Sequence, residues 1–242
     1  MARSSNRSPR TMTMASSRRL FLFDIDGTLI TSGGAGESAL IQAMASRFGV
    51  VEDLKGVTLA GATDALIAGA LLEKHGIEAS PENTAALLDS YLHHLVHSMP
   101  KHSGRVLPGI IPLLDALKQR PDAVVALLTG NMVRGAEIKL GHYGIWDYFE
   151  FGAFADDHHD RNELGKFAQD RAAEKHGIRF EPSRIFVIGD TPRDIECGRA
   201  IGAKTVAIAT GNYDRTLLAE HSPDFLFEDL RNTPAVLEAL FS

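Results

Sequence analysis

The chain has little that would staple it covalently or hold it in a bilayer. Its one cysteine, Cys197, excludes an intramolecular disulfide and any multi-cysteine zinc site, which suits a reducing compartment. No apolar run approaches the roughly 20 residues of a membrane-spanning helix. An excess of basic residues is missing as well. At a net charge of −6 there is no electrostatic reason to expect nucleic acid or an anionic membrane as a partner. An anionic substrate would therefore need local cations or a metal to attract it. The small-residue stretch 31–36, Thr-Ser-Gly-Gly-Ala-Gly, lacks the Gly-Lys-Ser/Thr ending of a nucleotide P-loop. There is no internal repeat. What remains is an ordinary globular composition, 44% hydrophobic and 23% charged, with 242 residues for one large domain or a core plus a smaller one.

The first 19 residues differ in kind, with Arg3, Arg7, Arg10, Arg18 and Arg19, many serines, no acid and no apolar core for a secretory signal. The composition resembles an organellar transit peptide, but we read residues 1–19 as a disordered extension, or as an upstream start with Met12 or Met14 as the true one. The expected location is cytoplasmic, and the segment is expected to carry no catalysis.

Residues 20–29, Leu-Phe-Leu-Phe-Asp-Ile-Asp-Gly-Thr-Leu, organise the rest. Four apolar residues run into Asp24 and Asp26, and Gly27 then breaks the backbone, so a buried strand ends in a loop. Ligands in open α/β sheets bind beyond such carboxyl ends. Two acids there are unfavourable unless a cation or an acid–base task compensates. Helical spacing follows from Glu37 to Phe48, over about 63–75, and from Ser80-Pro81 to Met99. Beyond residue 106, strands at 123–128, 150–154, 184–188, 205–208 and 225–227 alternate with helices, the pattern of a parallel sheet covered on both faces. The expected fold is α/β, a doubly wound, Rossmann-like core over 20–33 and 106–242, with an inserted all-helical cap over 34–105.

Three strands end in polar residues: Asp24 and Asp26, then Thr129-Gly130-Asn131, then Asp190 with Asp194 one helical turn on. If the strands are parallel neighbours, these ends converge, and several carboxylates in one crevice point to a hard divalent cation such as Mg2+. Taken singly, Asp190 and Asp194 could equally be helix caps. His93, His94 and His97 have helical spacings that could bind a metal, without an identifiable fourth ligand. His158 and His159 lie in a loop near the expected site, and Cys197 reads as a small buried residue.

Asp24-Ile25-Asp26-Gly27-Thr28-Leu29, Leu128-Thr129-Gly130-Asn131 and Gly189-Asp190-Thr191-Pro192-Arg193-Asp194 resemble the first, second and fourth motifs of the haloacid dehalogenase-like hydrolases, in order and each after an apolar strand. The resemblance extends from Leu20 to the end of the chain and is greatest to the phosphoglycolate-phosphatase-like branch. It implies that Asp24 is the nucleophile, forming an aspartyl-phosphate, and that Asp26 is the general acid and then base. It implies further that Asp24, the Asp26 carbonyl and Asp190 hold Mg2+, that Asp194 orients the metal shell, and that Thr129, Gly130 and Asn131 bind the phosphoryl oxygens. The third motif departs from the family's common Lys-Pro form. Arg161 is the expected cation there, directly after a loop, with Lys166, one turn inside a helix, as its rival. The implied activity is a magnesium-dependent phosphatase of a small phosphomonoester, acting as a monomer or homodimer. A phosphosugar mutase of the same superfamily, or a catalytically silent phosphate-binding regulator, are the alternatives. The acid at position 26 argues against a dehalogenase, which has no need of it.

Overall fold

A computed structural model describes residues 17–242 of the protein. The expected extension therefore lies outside the described residues as far as residue 16, but its last member belongs to the fold. Arg19 opens strand β1 (Arg19–Phe23), donates to the Phe241 carbonyl at 3.0 Å and lies over the Phe241 ring. A long stem on an apolar ring with its head on a carbonyl is how an arginine becomes buried at low cost.

Six parallel strands form the sheet in the order β5-β4-β1-β6-β7-β8. The others are β4 (Ala123–Leu128), β5 (Gly152–Ala153), β6 (Ile185–Gly189), β7 (Lys204–Ile208) and β8 (Phe225–Phe227). β1 is central, and its unbroken apolar run is explained by burial on both faces. Phe21 and Phe23 share one core with Leu113, Leu117 and Leu240; Leu20 and Leu22 share the opposite one with Leu164, Ala168 and Cys197. Helices α4 (Ile110–Lys118), α5 (Val133–His142) and α9 (Thr233–Phe241) thus cover one side, and α6 (Arg161–His176) and α7 (Pro192–Ala200) the other. The short helix α8 (Arg215–Glu220) packs through Leu218 with Ala207 of β7 and Ile195 of α7.

The chain runs outward from β1 to β4 and β5, then returns to β6 on the other side of β1. That reversal puts the switch point, where such sheets bind ligands, at the carboxyl end of β1. Between β1 and β4 lies the helical insertion of α1 (Ala35–Phe48), α2 (Asp64–Lys74) and α3 (Pro81–Ser98), with its own core of Met44, Leu71, Leu87 and Leu95 among others. Ser80 and Pro81 start α3 as their types require: the serine hydroxyl accepts from Asn83 N at 3.2 Å, and the proline takes a first-turn position that needs no N–H. The insertion is tied at its base by a small antiparallel pair, β2 (Ile30–Thr31) with β3 (Arg105–Val106), in stretches read from the sequence as a loop and a change of character. Two-residue strands so far apart in the chain have no periodicity to reveal them. Among the described residues no helix is long and apolar enough to cross a membrane.

Candidate active site

The backbone after β1 is fixed by bonds to β6 and to the loop after β7. Asp24 N donates to the Ile188 carbonyl at 2.9 Å, and the Gly27 carbonyl accepts from Thr210 Oγ1 at 2.6 Å. Gly27 has φ +79°, and a Cβ there would stand 2.3 Å from Asp190 Oδ2, so only glycine lets the turn pass beside that carboxylate. The result is a cavity of about 300 Å³ between core and insertion, whose wall includes Asp24, Asp26, Gly130, Asn131, Arg161 and Asp190.

Asp24 is 5% exposed, with Arg161 Nη2 2.9 Å from its Oδ1. The same guanidinium nitrogen lies 2.5 Å from Asp194 Oδ1. Burial lifts the Asp24 carboxyl to about 6, against the lowering effect of Arg161. Asp190 goes well above the usual carboxylate range because it is buried and faces Asp194 and Asp24; only a Thr28 hydroxyl bond at 3.0 Å and Arg161 oppose that. Burial would neutralise Arg161, but Asp194 and Asp24 hold it firmly charged.

Asp26 has different company. Its Oδ2 accepts from Lys139 Nζ at 2.6 Å and Asn131 Nδ2 at 2.9 Å, and its side chain is 42% exposed. Lys139 is 5% exposed and also donates to Asn131 Oδ1 at 2.7 Å. Burial alone would lower the pKa of this ammonium; Asp26, Tyr91 and Asp64 raise it instead. Lys139 escaped the sequence reading, although a signal existed. It falls with Gly135, Ala136 and Leu140 on the buried face of α5, where a lysine needs a partner.

Three other residues named from the sequence stand apart from the cavity wall. Thr129 is fully buried, its hydroxyl accepting from Asn131 Nδ2 at 2.9 Å. Asp194 has both oxygens engaged, one by Arg161, the other by Thr191 N at 3.0 Å and Thr191 Oγ1 at 2.8 Å. It thus closes a capping box on α7 as well as anchoring the arginine. Lys166 is not brought to the site. On the solvent face of α6 its Nζ meets Glu163 at 2.6 Å, because a position five residues after Arg161 lies about 140° round the helix from it.

Ligating oxygens of Asp24, Asp190 and Asp194 all lie within 4.8 Å of one another. Such an all-oxygen set suits a hard divalent cation. The raised pKa values of Asp24 and Asp190 describe buried charge that a cation would relieve, so the residues fit such an ion. Among the described residues His93, His94 and His97 form no such group. His93 meets His94 and His97 edge-on along α3, and His94 Nε2 lies 2.9 Å from Ser46 Oγ.

The insertion reaches the core through its loop before α2. Asp64 N donates to the Gly130 carbonyl at 2.7 Å, Met132 N donates to Asp64 Oδ2 at 2.8 Å, and Thr63 Oγ1 donates to the His159 carbonyl at 2.7 Å. Thr63 Oγ1 also accepts from Leu66 N, capping α2. A Cβ on Gly130 would stand 2.2 Å from the Ala62 carbonyl oxygen, so this close approach depends on glycine.

A doubly wound sheet with acids at its switch point and a helical insertion above them defines a Rossmann-like α/β protein with a capped carboxylate site. The chain belongs to the haloacid dehalogenase-like hydrolases, whose family model matches residues 21–199. It is 30% identical over 194 residues to an N-acetylmuramic acid 6-phosphate phosphatase from Pseudomonas aeruginosa, covering 78% of this chain and 81% of that protein. With a phosphoglycolate phosphatase from Vibrio vulnificus it shares 26% identity over 219 residues, 88% of this chain and 92% of the relative. A β-phosphoglucomutase from Clostridium difficile has the same fold at a TM-score of 0.70 and 20% identity, covering 92% of this chain and 97% of that one.

Proposed function

We propose that the protein is a magnesium-dependent phosphatase that hydrolyses a small phosphomonoester through an aspartyl-phosphate on Asp24. One observation carries this reading: two carboxylates at one strand end sit in opposite surroundings. Asp24 is buried against Arg161, whereas Asp26 is half-open and held by Lys139 and Asn131. Acids with distinct environments at one site are suited to distinct roles. Relatives named as phosphatases of N-acetylmuramic acid 6-phosphate and of phosphoglycolate support the reaction class.

In this mechanism an Asp24 carboxylate oxygen attacks phosphorus, and the bond to the leaving oxygen breaks as Asp26 protonates it. Asp26 then takes a proton from water, whose oxygen attacks the acyl phosphate and releases inorganic phosphate. Arg161 keeps Asp24 ionised and in place, and Asn131 with the backbone N–H groups of 130–131 would receive phosphoryl oxygens. Asp24, Asp190 and the Asp26 carbonyl would hold Mg2+, with Asp194 steadying its surroundings through Arg161. When bound, the ion neutralises charge between an anionic ester and an anionic nucleophile.

The test is phosphate release from p-nitrophenyl phosphate, with and without a chelator, by the wild type and by Asp24→Asn and Asp26→Asn. Asp24→Asn is expected to be inactive, Asp26→Asn slow and carrying a phosphate adduct detectable by mass spectrometry, and chelation to stop turnover until Mg2+ is restored. Undiminished turnover by Asp24→Asn would refute the mechanism. A hexose 1-phosphate converted to its isomer without phosphate release would assign the chain to the mutases.

A further inference from the structure

We propose that the cavity selects phosphomonoesters whose leaving part is uncharged and bears hydroxyl groups, and discriminates against those carrying a carboxylate. The inference rests on the phosphatase reading and concerns the space beyond the phosphoryl group. Its basis is that, among the described residues, every cation there is already paired with a carboxylate. Two cationic side chains among the described residues line the cavity, Arg161 and Lys139. The Lys139 ammonium donates to Asp26 at 2.6 Å and to Asn131 Oδ1 at 2.7 Å, so its charge is already paired. Arg161 is spent on Asp24 and Asp194, with longer approaches to the carbonyls of Leu128 and Gly61, and its unpartnered Nε is sealed from solvent. A substrate carboxylate could take either cation only by stripping it from an acid that has no other cation beside it.

The lining also carries acids beyond Asp24, Asp26 and Asp190. Glu37 in the first turn of α1 and Asp64 at the start of α2 both line the cavity. Carboxylates there accept hydrogen bonds from hydroxyl groups and repel a second anion. The α1 end has no side-chain cap at Gly34, so backbone N–H groups are left to donate. Glu37 stands in that same turn, however, and already complements the helix end. A hydroxyl can donate to Glu37 and accept from the N–H groups, whereas a carboxylate meets like charge. A volume of about 300 Å³ is at the small end of ligand sites, suited to a polyol- or sugar-sized group.

Matched esters test this: 2-hydroxyethyl phosphate against 2-phosphoglycolate, and glycerol 3-phosphate against 3-phosphoglycerate, compared by kcat/KM with saturating Mg2+. The neutral member of each pair is expected to be favoured by at least about tenfold, as like-charge juxtaposition requires. Glu37→Lys is expected to narrow both gaps, read as the ratio of kcat/KM within each pair. Equal or better use of the carboxylates by the wild type would overturn the inference while leaving the phosphatase reading intact. Gaps unaltered in Glu37→Lys would overturn the part assigned to Glu37. A protein that turns over none of the esters, p-nitrophenyl phosphate included, overturns the phosphatase reading and the inference with it.

Discussion

Replacing Arg161 by alanine separates this site from a generic acidic cleft. The guanidinium is 5% exposed and lies between two carboxylates whose side chains are 6% and 2% exposed. Removing one partner of a buried ionic cluster typically costs about 3–5 kcal/mol, because the remaining charges are stranded. That is a large part of the ~5–15 kcal/mol by which a domain is stable. At about 2–4 °C per kcal/mol for a chain of this size, the melting temperature should fall by roughly 10 °C. Phosphatase kcat should fall by about 10²-fold or more, since one preorganised donor beside Asp24, the proposed nucleophile, is lost. Lys166→Ala removes only an exposed ion pair one turn away on the same helix, so it should stay within about 0.5 kcal/mol of wild type, at full activity. Adding Asp194→Asn to Arg161→Ala should recover stability without recovering activity. Urea titration and kinetics on the four proteins read both quantities. An Arg161→Ala protein that melts like wild type, or an inactive Lys166→Ala protein beside an active Arg161→Ala one, would refute the reasoning.

Burial lifts the Asp64 carboxyl to about 6, against Lys139 and the Met132 N–H, so the folded protein holds that proton more tightly than the unfolded chain. The associated stability is present below about pH 4 and lost as pH rises through about 6, a change of about 3 kcal/mol for the metal-free protein. Asp64→Asn keeps an acceptor for Met132 N, and its melting temperature should gain on wild type between about pH 4.5 and pH 7.5; a gap independent of pH would contradict this. Gly130→Ala drives a Cβ onto the Ala62 carbonyl oxygen and should cost about 1–3 kcal/mol. Because the strain falls where the insertion meets the core, kcat should drop with it; a variant with wild-type kcat and stability would show that this contact yields freely.

Much of this protein follows from local sequence, because local sequence sets where strands end. The run 20–23 cannot be a helix at that length before Asp24-Ile25-Asp26-Gly27, and alternating strands and helices after residue 106 leave few topologies besides a parallel sheet. The acids at 24, 26 and 190 therefore meet at one edge by connectivity alone. The pairing of partners across that edge is another matter. Lys139 reaches Asp26 only because α5 packs with its Ala136–Leu140 face inward, and Arg161 reaches Asp24 only because Asp160 caps α6 so that the helix begins at the cavity. Asp194 was legible both as metal-shell residue and as helix cap; its two oxygens, on Arg161 and Thr191, are now spoken for. The β2–β3 tie and the docking of residues 61–64 on Gly130 are contacts between distant stretches, with no spacing to betray them. Periodicity and chain order fix which residues lie at the end of each strand. Which charge neutralises which, and so whether a cation is left for the substrate, depends on helix rotation and on contacts between cap and core, quantities that only the packed molecule sets.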